Sequence, residues 1–201
     1  MHSIFSIGYA AYSIDAFVQQ LKKYNITCIV DVRSHPFSQY NTDYNKDTLE
    51  AKLNGNRILY RNYAVEFGAR QSDKSYYSKD GYMDFEVYAK SKQFKQGVQK
   101  IIKGMNIGYV FALMCAEKDP INCHRSILIG RQFSLAGVPT YNILADDKIE
   151  TQAELESRLL IKHFSNREQL SFFGGNKSEV ELINQAYRLQ NATIGYRIED
   201  T

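Results

Sequence analysis

Short apolar runs rich in β-branched residues alternate with helix-period stripes through roughly 165 residues, and this rhythm leaves few folds open to the chain. Ile4-Phe5-Ser6-Ile7 is the first run and ends at Gly8. Ile14, Phe17, Val18 and Leu21 then fall at i, i+3, i+4 and i+7, one face of a helix, with Ser13 as its N-cap. Cys28-Ile29-Val30 with Val32 is too apolar for an exposed strand and suits a buried parallel one. Asp47-Thr48-Leu49-Glu50 predicts a capped helix start, Asn54-Gly55-Asn56 its stop, and Ile58-Leu59-Tyr60 a third strand. Asp84 opens a helix carrying Phe85, Tyr88, Phe94, Val98, Ile101 and Ile102, closed near Gly104. A fourth strand over 109–114 follows, then a helix with Ile129, Phe133 and Ala136, a Gly137 stop, and a fifth strand from Thr140 to Leu144. Thr151-Gln152-Ala153-Glu154 is a capping box, and Leu155, Leu159 and Leu160 give its helix an apolar face.

The expected architecture is therefore α/β. It is a three-layer α/β/α, Rossmann-like sandwich with a mainly parallel five-stranded sheet, right-handed crossovers and a helical C-terminal appendage. Residues 1–165 form one α/β domain. The tail over 166–201 is amphipathic, broken at Phe172-Phe173-Gly174-Gly175, and packs on the domain or on a partner, including a second copy of the chain. At 201 residues and 44% hydrophobic, the chain can bury one sizeable core. A net charge of +3 is too mild to imply nucleic acid. No apolar run reaches the roughly 18 residues that span a bilayer. The N-terminus has no basic segment before an apolar one, and three cysteines is an odd count, so reduced thiols in a cytoplasm are expected.

Parallel strands point their C-terminal ends to one edge of the sheet, where ligands of such folds bind. Gly8 and Tyr9 follow the first strand, Asp31 and Arg33 end the second, and Cys115 and Glu117 end the fourth. The densest patch is Met114-Cys115-Ala116-Glu117-Lys118-Asp119-Pro120-Ile121-Asn122-Cys123-His124-Arg125-Ser126. With residues 121–125 as the first turn of a helix, a Cys123 thiolate is favoured by the helix dipole and by Arg125. His124 is a residue type that can serve as base or proton donor near neutral pH. Arg125 offers a planar fork for phosphate or carboxylate. Glu117 is a general acid or base or orients Arg125, Asn122 adds a polar ligand contact, and Cys115 is a second thiol. The plainer alternative is a structural turn in which Glu117 and Arg125 pair, the cysteines pack and Pro120 sets the helix entry.

Asp31-Val32-Arg33-Ser34-His35-Pro36-Phe37-Ser38 is the second cluster. Its charged pair either meets a ligand, with Pro36 and Ser38 beside it, or braces the turn as a salt bridge, since unpaired buried charge is costly. Tyr60 and Arg70 are loop residues able to close over a ligand, whereas Cys28 is core. Residues 61–83 are tyrosine-rich and aperiodic, and Arg61, Arg70 and Lys74 keep open a second possibility, that rings of the 60–88 segment stack on single-stranded nucleic acid.

Two sharper chemistries can be set against the spacing. A tyrosine-phosphatase loop needs five residues between cysteine and arginine, but nine separate Cys115 from Arg125 and seven separate Cys123 from Arg131. Zinc would draw on Cys115, Cys123, His124 and His35, yet helical neighbours 123 and 124 would diverge by about 100°. No metal is therefore expected, and no motif names a cofactor.

Ser6-Ile7-Gly8-Tyr9, Asp31-Val32-Arg33…Pro36…Ser38, Phe67-Gly68, Asp84-Phe85…Tyr88 and Leu113-Met114-Cys115-Ala116-Glu117…Pro120…Cys123-His124-Arg125 stand in the order of one family. The chain resembles, over roughly residues 3 to 145, the widespread prokaryotic family called domain of unknown function 488. The resemblance implies an α/β fold and singles out Gly8, Asp31, Arg33, Pro36, Ser38, Cys115, Glu117, Cys123, His124 and Arg125, without an agreed activity. Relatives often carry histidine where this chain has Tyr9, and another on the last strand where Asn142 stands; both positions are expected to line the crevice. The expected function is an enzyme, or degenerate enzyme, for a small anionic ligand, a nucleotide or other phosphorylated compound. Arg33 and Arg125 would hold the anion, with Cys123, His124, Glu117, Cys115 and Asp31 as the reacting groups.

Overall fold

The computed structural model describes residues 2–145, 147–164 and 178–198. Five strands form a parallel sheet: β1 (Ile4–Gly8), β2 (Cys28–Asp31), β3 (Leu59–Asn62), β4 (Phe111–Cys115) and β5 (Thr140–Ile143). A sixth, β6 (Ile149–Thr151), pairs antiparallel with β5 and is not expected from sequence, because three residues carry too little pattern to read. The order is β3-β2-β4-β1-β5-β6. Register places Gly8 beside Cys115 and Asp31 beside Met114, so the ends of β1, β2 and β4 meet at one edge.

Alternate residues of the strands feed two cores. On one face, Ile7, Ile29, Ala112, Met114 and Ile143 pack with Phe17, Val18 and Leu21 of α1 (Ile14–Lys23) and Leu49 and Leu53 of α2 (Lys46–Asn54). Ser13 caps α1 by accepting from Ala16 N–H, as its sequence predicts. Asp47 does not open α2: Asn45 occupies the N-cap, while its side chain accepts from Ser38 N–H and fixes the loop after β2.

On the opposite face, Ile4, Cys28, Val30, Leu113 and Cys115 meet the remaining helices. The single helix expected from Asp84 is two. Asp84 caps α4 (Phe85–Tyr88), and Ser91 caps α5 (Lys92–Asn106), because a serine oxygen accepting from Phe94 N–H restarts the helix in a new direction. The tyrosine-rich stretch holds the single turn α3 (Ala64–Phe67) and is largely internal. Tyr60 and Tyr88 are buried, Tyr63 stacks on Phe67, and Tyr76 lies edge-on to Tyr88.

After β4 the chain forms a 3-10 turn (Pro120–Asn122) and a π-helical segment (Arg125–Gly130) that runs into α6 (Arg131–Leu135). The capping box at Thr151 starts α7 (Gln152–His163) as expected. The last described helix, α8 (Glu179–Ile194), packs on α7 and puts Ala186 and Tyr187 into the same core. The 178–198 part of the tail thus folds onto its own domain, while Phe172-Phe173-Gly174-Gly175 lies outside the described residues. No described helix is long and apolar enough to cross a membrane.

Candidate active site

A cavity of about 440 Å³ opens at the C-terminal edge of the sheet, where the ends of β1, β2 and β4 converge. It is lined by Tyr9, Arg33, Ser38, Arg70, Cys115, Glu117, Asn122, Cys123 and His124 among the residues singled out from sequence. Ser34, His35, Phe37, Ala69 and Ala116 complete the wall from the same loops, and Ile194 and Tyr196 from the end of α8 and the chain just beyond it. No periodicity or motif could have flagged Ile194 and Tyr196. They reach the site only because α8 folds back over the edge, where Arg70 stacks on the Tyr196 ring at 4.7 Å.

The remaining expected site residues lie behind this wall. Asp31 is fully buried and accepts from Arg33 Nε (2.9 Å), Arg33 Nη2 (2.6 Å) and the Tyr60 hydroxyl (2.6 Å). Both of its oxygens are engaged, and they hold Arg33 in place. Tyr60 likewise serves Asp31 and does not touch the cavity. Pro36 shapes the loop, its carbonyl accepting from Lys46 N–H. Asn142, expected in the crevice, is buried instead and accepts from Ser6 (2.6 Å) and Ser126 (2.7 Å).

Arg33 is held charged. Burial opposes this, but the two hydrogen bonds and the charge of Asp31 outweigh it and raise its pKa. The guanidinium also lies over the Tyr9 ring at 5.0 Å and donates to the Tyr44 carbonyl. Its Nη1 is buried with no hydrogen-bond partner among the described residues. An unsatisfied cationic donor is expensive to bury.

Arg125 departs from its expected role. It is fully buried, and its Nη1 and Nη2 donate to the carbonyls of Glu117 (2.5 Å) and Lys118 (3.3 Å), while Nε reaches Ser6 Oγ (3.3 Å). The Glu117 contact is thus through the backbone, and the residue stands exposed at the cavity rim. Arg125 braces the loop after β4 and does not line the cavity. Gly8 belongs to the same brace: a Cβ there would collide with the Glu117 carbonyl and crowd Arg125 Nη2. Gly8→Ala is expected to cost about 1–3 kcal/mol through overpacking, seen as a lower melting temperature.

The thiols converge from two elements. Cys115 ends β4, and Cys123 has extended backbone (φ −132°, ψ 136°) between the 3-10 turn and the π-helical segment. Cys123 is therefore not inside a helical turn, and the divergence of residues 123 and 124 expected from sequence does not occur. His124 Nδ1 stands 4.0 Å from Cys115 Sγ and 3.9 Å from Cys123 Sγ. Its Nε2 lies 3.0 Å from the Val32 carbonyl, which can only accept, so Nε2 donates there and Nδ1 is the nitrogen turned to both thiols. The three donor atoms lie within 4.8 Å of one another, a soft set that zinc also uses, although bond lengths of closed zinc sites imply an S···N edge of about 3.6 Å. No fourth His, Cys, Asp or Glu donor joins them among the described residues.

The two thiols are unlike. For Cys123, burial opposes ionisation, but the hydrogen bond from Cys115, the Arg125 charge and His124 together hold its pKa well below the ordinary thiol value. Cys115 is pushed well above that value, first by its bond to Cys123 and then by burial. The Arg125 charge is thus one of the causes that favour the ionised form of Cys123. Cys28 begins β2, at the opposite edge of the sheet; it is pushed up to about 11 by burial and is inert core, as expected.

The family model described as domain of unknown function DUF488 matches residues 13–131, more than half of the chain and all of the segment that carries Asp31, Arg33, Cys115, Cys123 and His124. No curated protein matches the chain, and no solved structure does. The chain belongs to the DUF488 family.

Proposed function

We propose that this protein is a cysteine-dependent transferase or hydrolase acting on a small anionic substrate, a nucleotide or another phosphorylated compound. One observation carries the reading: Cys123 Sγ faces Nδ1 of His124, whose Nε2 is taken by a backbone carbonyl, in a cavity that Arg33 also lines. The thiol proton passes to Nδ1, the thiolate attacks the electrophilic centre of the substrate, and the imidazolium returns the proton to the leaving group. Arg33 holds the anionic group, with Arg70 at the rim as a second cation. Arg125 does not bind the anion in this scheme; it keeps the loop and the thiolate in place.

A thermal-shift screen of orthophosphate, nucleoside mono-, di- and triphosphates and sugar phosphates tests the reading. At least one should raise the melting temperature, and Arg70→Ala, at an exposed residue, should weaken that ligand about tenfold without lowering basal stability, the effect of one charge-assisted contact. The absence of any stabilising anion would sink the proposal.

A further inference from the structure

Cys115 has no part in the reaction proposed above, yet it shares the cavity and the histidine with Cys123. Its sulfur lies within 4.8 Å of Cys123 Sγ. A disulfide requires about 2.05 Å between the sulfurs, and rotation between staggered wells sweeps a cysteine sulfur through about 3 Å. The two residues sit on separate elements, the end of a central strand and an extended link between two turns. Cys28 lies at the start of β2 and does not line this cavity.

We propose that Cys123 is a peroxide-reactive thiol and that Cys115 is its resolving partner, the two forming a reversible disulfide across the floor of the cavity. The Cys123 proton moves to His124 Nδ1, and the thiolate attacks the terminal oxygen of a hydroperoxide. The O–O bond breaks, sulfur is oxidised to sulfenic acid, and the leaving alkoxide takes the proton from His124 to become an alcohol. Cys115 then gives its proton to Nδ1 while its sulfur attacks Cys123 Sγ. The S–S bond forms, the S–O bond breaks, and hydroxide leaves as water with that proton. The net change is two thiols and one hydroperoxide to one disulfide, one alcohol and one water. A small thiol or dithiol reverses it by exchange. The asymmetry between an easily ionised Cys123 and a reluctant Cys115 is that of an attacking and a resolving thiol. This inference rests on the Cys123 thiolate of the proposed reaction but not on any substrate anion.

The test uses the full chain, pre-treated with a chelator so that no metal masks the thiols. It is exposed to stoichiometric hydrogen peroxide or cumene hydroperoxide, denatured in N-ethylmaleimide and weighed by mass spectrometry. The expected product has lost two hydrogens and takes one maleimide, on Cys28, instead of one on each of the three cysteines. A Cys115–Cys123 cross-linked peptide should appear and vanish after dithiothreitol. In Cys115→Ser the cross-link is absent and dimedone traps the sulfenic acid on Cys123. Three free thiols after peroxide, a cross-link through Cys28, or a bridge between two chains would each overturn the proposal. Disulfide formation without any stabilising anion would leave this inference standing and remove only the substrate assignment; anion binding without disulfide formation would do the reverse.

Discussion

Asp31→Asn is expected to destabilise the protein by about 3–5 kcal/mol, because it removes one partner of a buried ion pair and leaves the other uncompensated. For a chain of this length that is a fall in melting temperature on the order of 10 °C. The geometry explains the size. Arg33 makes a two-pronged contact with Asp31 and its backbone N–H donates to the same carboxylate, so the side chain and the turn after β2 depend on one group. Tyr60→Phe removes only a hydroxyl donor to that carboxylate and should cost about 1–3 kcal/mol. Both melts are read by calorimetry or circular dichroism. If the Asp31→Asn variant melted within a degree or two of the parent, the pair would not be what holds Arg33. Any anion that stabilises the parent should bind the variant poorly, since Arg33 would no longer be fixed at the cavity.

Iodoacetamide at mildly acidic pH is expected to alkylate Cys123 at least a hundredfold faster than Cys28, because the two thiols are equally buried and reaction then follows thiolate fraction. The rate against pH should rise at a midpoint well below 9.0, the ordinary value for the thiol, and Arg125→Met should move that midpoint back up by removing the buried cation. Arg125→Met should also cost about 3 kcal/mol, as Ser6 and the carbonyls of Glu117 and Lys118 lose their donor. A conventional midpoint in the parent, or the same depressed midpoint in the methionine variant, would contradict the role given to Arg125.

The same pair sets a stability signature. Cys123 has a folded pKa below its unfolded value, so its contribution is fully present above the unfolded value near 9.0 and is lost as pH falls through the folded pKa. Cys115 and Cys28 are raised, so their contributions are present below 9.0 and are lost as pH climbs above it. Parent stability should therefore rise with pH on the acid side of 9.0 in a way that Cys123→Ser abolishes.

Much of the sheet was legible because buried parallel strands must be apolar and helices laid on them must carry a stripe. Ile4 to Gly8, Cys28 to Asp31 and the Ser13 and Thr151 caps all follow from residue type and spacing alone. Strand β6 escaped because it is held by its pairing with β5 and not by its own pattern. The break between α4 and α5 escaped because Ser91 competes with a continuous apolar stripe, and only packing decides which wins.

The candidate site was legible in its location and less so in its roles. Residue types at Asp31, Arg33, Cys115, Cys123, His124 and Arg125 mark chemistry, and parallel strands bring their ends together. Sequence does not say which arginine lines the cavity. Arg33 and Arg125 look alike in one dimension; in three, Arg125 is enclosed by its own loop carbonyls, while Arg33 keeps a donor unsatisfied beside the cavity. Nor does sequence show that Asp31 and Tyr60 act through Arg33, or that Ile194 and Tyr196 return to complete the wall. Periodicity and motif determine what each segment becomes, since those are short-range consequences of side-chain size, branching and hydrogen-bonding groups. Only the tertiary structure decides whether a charged group is satisfied or left waiting, because that depends on partners brought from distant parts of the chain.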